Sequence, residues 1–238
     1  MHERSLSSLT IFFPCYDDRE TIVELVLSAG QVADRLTQDY EILVIDDGST
    51  DGSQEVLKNL QVSVPRLRLI LHDGNQGYGA VLRTGFSHAS KDWVFYTDGD
   101  GQYDVSELGG LAECANFGVD VVNGYKLRRK DPLHRILIGE LYRSSMRILF
   151  RLPVRDVNCD FRLIRRQAVN RLRLRCASGA IGVELISGLK RLGCCFSEHG
   201  VNHYPRLYGR SRFFVPKHLL RTGLDLLRFL GSPRSDGN

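Results

Sequence analysis

The chain has 238 residues, of which 42% are hydrophobic and 25% are charged, so it belongs with ordinary globular proteins rather than with disordered ones. This length suits one large domain, or one domain with an appendage. No apolar run approaches the roughly 20 residues that span a bilayer. The amino-terminal sequence shows no apolar signal-peptide segment, so we expect a cytoplasmic protein.

The net charge of +4 conceals an uneven distribution along the chain. Residues 1–125 contain 8 Lys and Arg against 20 Asp and Glu, a net charge of −12. Residues 126–175 contain 15 against 4, or +11, and residues 176–238 contain 9 against 4, or +5. An acidic front half does not suit a nucleic-acid binder, so no nucleic-acid partner is expected. A basic rear half suits phosphate groups or an anionic membrane surface, with solvated surface charge as the alternative.

The first 100 residues alternate short apolar runs with segments of helical periodicity. The apolar runs predict strands at residues 8–14, 40–45, 67–71 and 93–97. The segments between them predict helices from Asp17 or Asp18 to Leu36, at 53–60 and at 80–89. Continuous apolar runs are typical of strands buried on both faces of a parallel sheet. The βαβαβαβ order therefore predicts a doubly wound α/β sheet, with ligands beyond the carboxyl ends of its strands.

The rest of the chain continues the alternation of strands and helices. The predicted elements are a helix at 105–116, a strand at 120–123, a helix at 136–150, a strand at 156–166, a helix at 181–192, a strand at 195–201, a helix at 215–230 and a frayed end at 232–238. The helices at 136–150 and 215–230 are basic and amphipathic. The apolar face of the first can pack on the core or lie on a lipid surface, and the pattern leaves both open.

A carboxylate-bearing loop follows the fourth predicted strand directly, with the sequence Asp98-Gly99-Asp100-Gly101-Gln102. Two Asp at positions i and i+2 of an extended chain point the same way, and the glycines allow a close approach to a ligand. Mg²⁺ and Mn²⁺ often take only one or two protein carboxylates and complete their shell with water and phosphate. Asp and Gly are also ordinary turn residues. Two further acidic loops, at 14–20 and 46–53, fall at the same predicted edge and favour a metal site.

The glycine-rich segment at residues 74–79 follows the third predicted strand. It is not the Gly-x-Gly-x-x-Gly fingerprint after a first strand, and it is not a P-loop with its Lys. Classical dinucleotide and ATP binding are therefore disfavoured.

Together these residues resemble glycosyltransferase family 2 and, within it, the polyprenyl-phosphate branch of the dolichyl-phosphate mannose synthase type. The matching motifs are Pro14-Cys15-Tyr16 with Glu20, Asp46-Asp47-Gly48-Ser49 with Asp51-Gly52, Asn75-x-Gly77-x-Gly79, Asp98-Gly99-Asp100-Gly101-Gln102, Asp156-x-x-Cys159-x-Phe161-Arg162 with Arg165-Arg166, and Arg206-x-x-Gly209-x-Ser211. They stand in the family's order from residue 8 to about residue 212. The resemblance implies a GT-A type fold, a doubly wound and mostly parallel sheet with a basic acceptor-side subregion. It also implies a nucleotide-sugar donor and a divalent cation, Mg²⁺ or Mn²⁺.

Carried over position by position, the resemblance assigns three groups of site residues. The nucleotide-sugar group comprises Pro14, Tyr16, Glu20, Asp46, Gly48, Ser49, Gly77, Asp98 and Gly99. The metal group comprises Asp98, Asp100 and Gln102, and the acceptor-phosphate group comprises Lys126, Arg135, Arg162, Arg206 and Ser211. The chain departs from the branch at Gly139, where Ser is frequent, and at Arg212, where Lys is common.

The resemblance also suggests how the chain is divided. Residues 1–125 would bind the nucleotide-sugar and the metal, residues 126–214 would form the acceptor side of the same catalytic domain, and residues 215–238 would be an amphipathic helix and tail. Many relatives carry transmembrane helices that we do not find in this sequence. We therefore expect peripheral contact with the cytosolic membrane face, with a membrane-protein partner or self-association as possible support.

The expected activity is metal-dependent, inverting transfer of a sugar from a UDP- or GDP-sugar to polyprenyl phosphate. Asp100 would act through the metal, which stabilises the departing diphosphate. A lipid phosphate with a second pKa of about 6 is largely ionised at neutral pH and needs little base catalysis. A sugar hydroxyl would need a base, for which Asp156 is the candidate, although it can equally be a strand-start cap or a salt-bridge partner of an Arg.

Three other functions remain open from the sequence. The first is a transferase of the same family acting on a soluble sugar or a polysaccharide. The second is a nucleotidyltransferase, which would release pyrophosphate rather than a nucleoside diphosphate. The third is a non-catalytic scaffold, against which the intact Asp98, Asp100 and Gln102 count. Glu184 is expected on a helix surface or paired with an Arg rather than in catalysis.

Overall fold

The computed structural model describes residues 5–116, 118–127, 133–208 and 216–231, without the side chains of residues 133–137 and 216–219. Ser211, Arg212 and the predicted frayed end at 232–238 lie outside the described residues. The side chain of Arg135 is also outside the description, although its backbone belongs to a helix.

Seven strands of the described chain form one sheet in the order β3-β2-β1-β4-β6-β5-β7. The strands are β1 Leu9–Cys15, β2 Tyr40–Asp46, β3 Leu67–Leu71, β4 Trp93–Thr97, β5 Val121–Lys126, β6 Phe161–Arg165 and β7 Phe196–Val201. All neighbours pair in parallel except β6, which is antiparallel to both β4 and β5. The predicted doubly wound, mostly parallel α/β sheet is confirmed, and residues on both sides of position 125 contribute strands to it.

The helices cover both faces of this sheet. They are α1 Arg19–Leu36, α2 Ser53–Ser63, α3 Tyr78–His88, a 3₁₀ helix Val105–Glu107, α4 Leu108–Cys114, α5 Leu133–Phe150, α6 Arg166–Val169, α7 Ile181–Arg191 and α8 Pro216–Gly231. The first four strands and the long helices lie close to their predicted positions. The short helix α6 was not predicted.

One predicted strand begins later than expected. The sequence placed its start at Asp156, but β6 begins at Phe161. Asp156 instead accepts the N–H of Asn158 on its side chain at 3.1 Å and the N–H of Cys159 on its carbonyl at 3.4 Å. An Asp that binds the amide two residues on stabilises a turn rather than a strand.

The core has two layers because alternate residues of each strand point to opposite faces of the sheet. Ile11 and Phe13 of β1 lie in the layer that α1 covers, whereas Phe12 lies in the layer that α3 and α7 cover. Phe12 contacts Phe86 and Tyr96 with ring centroids 5.2 and 5.3 Å apart. A close-packed aromatic group of this kind fixes α3 against the middle of the sheet.

The strand directions determine which loops meet at one edge. Because β1, β2 and β4 are parallel, the loops after their carboxyl ends lie together. Since β6 runs the opposite way, its amino end joins the same edge, and Thr97 pairs with Phe161. Asp98 follows Thr97 and Asp160 precedes Phe161. The two carboxylates are therefore neighbours in space although they are far apart in the sequence.

Candidate active site

Asp46 ends β2 as a fully buried carboxylate. Its Oδ1 accepts the N–H groups of Gly48 and Ser49 at 3.1 and 3.0 Å and the Nε2 of Gln54 at 2.7 Å. Its Oδ2 is buried and has no hydrogen-bond partner among the residues that the structure describes. A buried acceptor without a donor is costly, so this oxygen is well suited to bind an N–H or O–H of a ligand.

The loop after β1 is tied to the loop after β2. Ser49 Oγ accepts the N–H of Asp17 at 2.9 Å, and Asp17 Oδ1 accepts the N–H of Thr50 at 2.8 Å. Tyr16, beside them, donates its N–H to Asp18 Oδ2 at 3.2 Å. The structure therefore brings Tyr16 and Ser49 to the same edge of the sheet.

Glu20 is exposed in the first turn of α1. The helix dipole stabilises an acidic side chain in the first turn. This interaction is sufficient to explain the position of Glu20 without a ligand. Its predicted contact with the nucleotide-sugar stays a prediction.

Two glycines of the predicted site stand where a side chain would not fit. Gly48 has a φ of +77°, and a Cβ there would lie 2.7 Å from the Cα of Gly74. A Cβ on Gly99 would lie 2.6 Å from the carbonyl oxygen of Pro14, which accepts the Gly99 N–H at 3.1 Å. These close approaches hold the loops after β1, β2, β3 and β4 against one another.

Asp47 holds the glycine-rich segment. Its carboxylate accepts the N–H groups of Gln76 and Gly77, both at 2.9 Å, and lies 2.7 Å from Nδ1 of the partly buried His72. With Gly77 fixed in this way, α3 begins at Tyr78, two residues earlier than predicted. The Tyr78 hydroxyl then donates to Asp98 Oδ1 at 2.8 Å, so this segment supports the Asp-Gly-Asp loop rather than resembling a P-loop.

The Asp-Gly-Asp loop carries a concentration of negative charge. Burial raises the pKa of Asp98 well above its usual value, and the neighbouring carboxylates of Asp160 and Asp100 raise it further. Burial also raises the pKa of Asp18 to about 6. Lys126 lowers the pKa of Asp98 and Arg206 lowers that of Asp18, but both pKa values stay raised. A divalent cation relieves such an environment.

The residues present fit a hard cation that shares its shell with a ligand. No group of three or more His, Cys, Asp or Glu side chains with metal-site geometry occurs in the described ranges. Asp98 and Asp100 nevertheless supply the one or two carboxylates that Mg²⁺ usually takes when substrate phosphates complete its shell. The Nε2 of Gln102 donates to the carbonyl of Tyr204 at 3.0 Å, so its amide oxygen remains the group suited to a metal.

Asp160 was missed by the sequence analysis. It is 22% exposed, lies 3.1 Å from Nη1 of Arg162, and raises the pKa of Asp98. Its position depends on the antiparallel insertion of β6 beside β4, which no local pattern encodes. Its place directly before the Phe161-Arg162 motif is the only signal that could have drawn attention to it.

The predicted acceptor-phosphate residues are not gathered into one exposed cluster. Lys126 Nζ donates to the carbonyl of Asn158 at 3.1 Å. Arg206 reaches the Asp-Gly-Asp loop, with Nη2 2.5 Å and Nε 3.2 Å from Asp100 Oδ2. Arg135 and Ser211 cannot be placed, because the first has no described side chain and the second lies outside the described residues.

Arg162 corrects the sequence interpretation. It is fully buried, and its Nε donates to Asn123 Oδ1 at 2.6 Å. Its Nη groups donate to the Tyr96 hydroxyl and the Val157 carbonyl. Because the core accepts its hydrogen bonds, Arg162 supports the floor of the site and does not present its guanidinium to a phosphate.

Asp156 and Glu184 both bind backbone amides. Asp156 is 1% exposed and stabilises the turn before β6, a position that is neither the start of a strand nor that of an exposed base. Glu184 is buried in α7, not on a helix surface as expected, and accepts the N–H groups of Arg175 and Cys176. Neither carboxylate is offered to solvent in this arrangement.

The sheet order and the carboxylate-lined edge are those of the GT-A type α/β fold expected from the sequence. Comparison with known families agrees, because the family described as Glycosyl transferase family 2 matches residues 10–173. That match covers more than half of the chain, and the protein belongs to this family.

Curated relatives and solved structures extend this result. The chain is 27% identical over 228 residues to the undecaprenyl-phosphate 4-deoxy-4-formamido-L-arabinose transferase of Aeromonas hydrophila, covering 95% of this chain and 69% of the relative. The enzyme of the same name from Salmonella choleraesuis is 28% identical over 238 residues, with 95% and 72% covered. Glucosyl-3-phosphoglycerate synthase from Mycobacterium tuberculosis, in complex with Mn²⁺, UDP and phosphoglyceric acid, superposes with a TM-score of 0.72 at 17% identity, covering 96% of this chain and 80% of that one. At that identity the likeness shows the shared fold.

Proposed function

We propose that this enzyme transfers a sugar from a nucleotide-sugar to polyprenyl phosphate, with inversion and with Mg²⁺ or Mn²⁺. The observation that carries the proposal is the meeting of the Asp98–Asp100 carboxylates with the guanidinium of Arg206 at the carboxyl edge of the sheet. Carboxylates suit the metal of a donor diphosphate, and a guanidinium suits an acceptor phosphate. The relatives named for undecaprenyl phosphate support that acceptor.

The loops after β1 and β2 would hold the donor. Asp46 Oδ2, the buried oxygen without a partner in the described structure, would accept a hydrogen bond from the nucleoside. Tyr78 orients Asp98 through its hydroxyl, and Gly99 allows the main chain to approach the diphosphate. A divalent cation bound at Asp100 would supply Lewis-acid stabilisation to the departing diphosphate.

The basic side would hold the attacking phosphate. A phosphate monoester with a second pKa of about 6 is mostly a dianion at neutral pH, so it attacks without a general base. Arg206 and Lys126, with Arg135 and Ser211 as sequence-based candidates, would place it in line with the leaving group. The burial of Asp156 is compatible with a reaction that needs no base.

Peripheral contact with the cytosolic membrane face belongs to the same proposal. Apolar side chains are exposed on α5 at Leu141 and Ile148 and on α8 at Leu224 and Leu227. Phe150 and Phe229 stack at 5.5 Å and join the two helices. No helix in the described ranges is long and apolar enough to cross a bilayer. A membrane-protein partner or self-association through the same helices remains part of the proposal.

Product analysis tests the chemistry. The protein would be incubated with a panel of UDP- and GDP-sugars, a short polyprenyl phosphate and Mn²⁺ or Mg²⁺, beside Asp100→Ala. Asp92→Ala is the matched control, because Asp92 precedes the same strand at the opposite edge of the sheet, where it accepts the Ser7 hydroxyl. The expected result is a metal-dependent glycosyl lipid phosphate, lost in the first variant only, which also identifies the donor.

Each other outcome points elsewhere. A nucleoside diphosphate released without a lipid product would favour a soluble sugar or polysaccharide acceptor. Released pyrophosphate would indicate a nucleotidyltransferase, and unchanged activity in Asp100→Ala would refute the assigned role of that residue. Sedimentation with anionic and neutral liposomes tests the membrane contact, which Leu224→Asp with Leu227→Asp should abolish.

A further inference from the structure

The segment after β7 crosses the Asp-Gly-Asp loop and is joined to it by reciprocal hydrogen bonds. Tyr204 donates its N–H to the Gln102 carbonyl at 2.8 Å, and Gln102 Nε2 donates to the Tyr204 carbonyl at 3.0 Å. Upstream, the N–H of Asn202 contacts the Glu107 carboxylate at 3.0 and 3.2 Å. These bonds place Arg206 directly over the carboxylates.

Arg206 places a positive charge directly against Asp100, one of the predicted metal ligands. Its Nη2 lies 2.5 Å from Asp100 Oδ2 and 4.0 Å from Asp18 Oδ1, and its side chain is only 25% exposed. Partial burial strengthens such a pair because less solvent screens it. In this conformation the guanidinium neutralises charge that a bound cation would also neutralise.

A metal at Asp100 and this position of Arg206 compete. A cation coordinated by Asp100 would stand within a few ångströms of the guanidinium, and the two positive charges would repel. Gln102, the third predicted metal residue, is also engaged with the Arg206 segment through Tyr204. Metal coordination by Asp100 would therefore weaken the attachment of the segment through Arg206. The amide oxygen of Gln102 can join the coordination while its Nε2 keeps the bond to the Tyr204 carbonyl.

We propose that Arg206 is an internal counter-ion that the divalent cation displaces, and that the released guanidinium becomes available to an acceptor phosphate. The last step rests on the proposed function, whereas the exchange of Arg206 for metal does not. Because Arg206 is released only when the metal binds, the metal would bind before the acceptor phosphate does. The exchange also gives the acidic loop a stable metal-free state.

Metal affinity of the free protein tests the exchange without any turnover. Mn²⁺ binding would be measured by EPR titration in wild type, Arg206→Gln, Arg206→Lys and Lys126→Gln, without nucleotide. Removing the competitor should tighten Mn²⁺ binding about tenfold in Arg206→Gln, the size expected for one charge-assisted pair. Arg206→Lys retains the charge and should stay near wild type. Lys126 lowers the pKa of Asp98 by its charge from a distance, so Lys126→Gln controls for a general field effect.

Hydrogen exchange supplies a second readout. In wild type, Mn²⁺ should accelerate amide exchange in a peptide spanning residues 202–208, because Arg206 leaves Asp100. In Arg206→Gln the exchange should already be fast without metal and should change little on its addition. Circular dichroism and urea unfolding would establish that the variants are folded.

Three outcomes would overturn the exchange. Unchanged or weaker Mn²⁺ affinity in Arg206→Gln would mean that Arg206 does not compete or that it helps to form the site. Equal gains in Arg206→Gln and Lys126→Gln would reduce the effect to general electrostatics. Exchange in 202–208 that ignores Mn²⁺ in wild type would show that the segment is not released. If one of these outcomes is found and the protein still glycosylates polyprenyl phosphate, the proposed function stands and this inference fails. If the acceptor proves to be soluble, the proposed function fails, but the displacement of Arg206 by metal can still hold.

Discussion

The acidic loops and the basic side of the same sheet edge are held together in different ways. In the loops after β1 and β2, carboxylates such as Asp46 and Asp47 accept backbone N–H groups and thereby fix the chain around a ligand site. On the basic side, Arg162, Lys126 and Arg206 donate to acceptors within the protein itself.

This difference limits what the charge of a segment can indicate. Residues 126–175 carry a net charge of +11. However, Arg162 donates its hydrogen bonds to acceptors in the core, and Lys126 donates to a neighbouring carbonyl. Only cations that can leave their protein partners are able to bind a phosphate. The acidic loops are held by these backbone hydrogen bonds, whereas Lys126 and Arg206 would have to exchange partners before they could bind the phosphate that we propose.

The largest effect is expected where the two sides meet. Asp100→Asn keeps the shape of the side chain but removes the charge that a cation and Arg206 both require. We expect turnover in saturating Mn²⁺ to fall about 1,000-fold, comparable to loss of a major electrostatic contributor in an active site. Initial rates of nucleoside diphosphate release would measure it, with Asp92→Asn as the control expected to retain wild-type turnover. A fall of less than tenfold would remove Asp100 from the centre of the site.

Arg162→Met tests whether buried basic charge is structural. The change leaves Asn123 Oδ1, the Tyr96 hydroxyl and the Val157 carbonyl without their donor. We expect the free energy of unfolding to fall by about 3 kcal/mol, as is typical when one partner of a buried polar network is removed. Urea unfolding would measure it.

The matched control for that change is Arg155→Met, whose side chain is 65% exposed beside Glu198. An exposed ion pair contributes little, so we expect a loss below about 1 kcal/mol. If Arg162→Met were as stable as Arg155→Met and lost only affinity for the lipid phosphate, the acceptor role inferred from the motif would be restored.

Arg162 also shows where prediction from sequence ends. The strands up to β4 and the loop at Asp98 were predicted because apolar runs and the glycines that follow them are local signals. The insertion of β6 between β4 and β5 is a tertiary event, so the burial of Arg162 and the approach of Asp160 to Asp98 had no local signature. The turn at Asp156 was missed for a smaller reason, because an Asp before an apolar run can cap a strand or close a turn.

Asp18 offers a pH test of the acidic loops in the metal-free protein. Burial raises its pKa from 3.8 to about 6, so between these values the folded state binds a proton that the unfolded state has released. The free energy of unfolding therefore falls as pH rises through this window, and above pH 6 the whole penalty is present. At pH 8 in EDTA, Asp18→Asn should be more stable than wild type by about 3 kcal/mol.

The same pair of proteins should approach equal stability below about pH 3, where wild-type Asp18 is largely protonated in both the folded and the unfolded state. Urea unfolding at the two pH values gives the difference directly. An Asp18→Asn variant that gains nothing at pH 8 would mean that Arg206, 4.0 Å away, already compensates the buried charge.

Apart from the control variants, Tyr78→Phe is expected to give the smallest change in the free energy of unfolding. It tests whether the Tyr78 hydroxyl fixes the orientation of Asp98. It removes only the hydroxyl that donates to Asp98 Oδ1 at 2.8 Å, while the ring that begins α3 is retained. We expect the free energy of unfolding to fall by about 1 kcal/mol, the usual worth of one hydrogen bond. Mn²⁺ affinity should fall severalfold, because Asp98 loses the donor that fixes its orientation. Since Arg206 is untouched, hydrogen exchange in residues 202–208 should keep its wild-type response to metal. A change in that response would mean that the two sides of the edge are coupled through Asp98 rather than held independently.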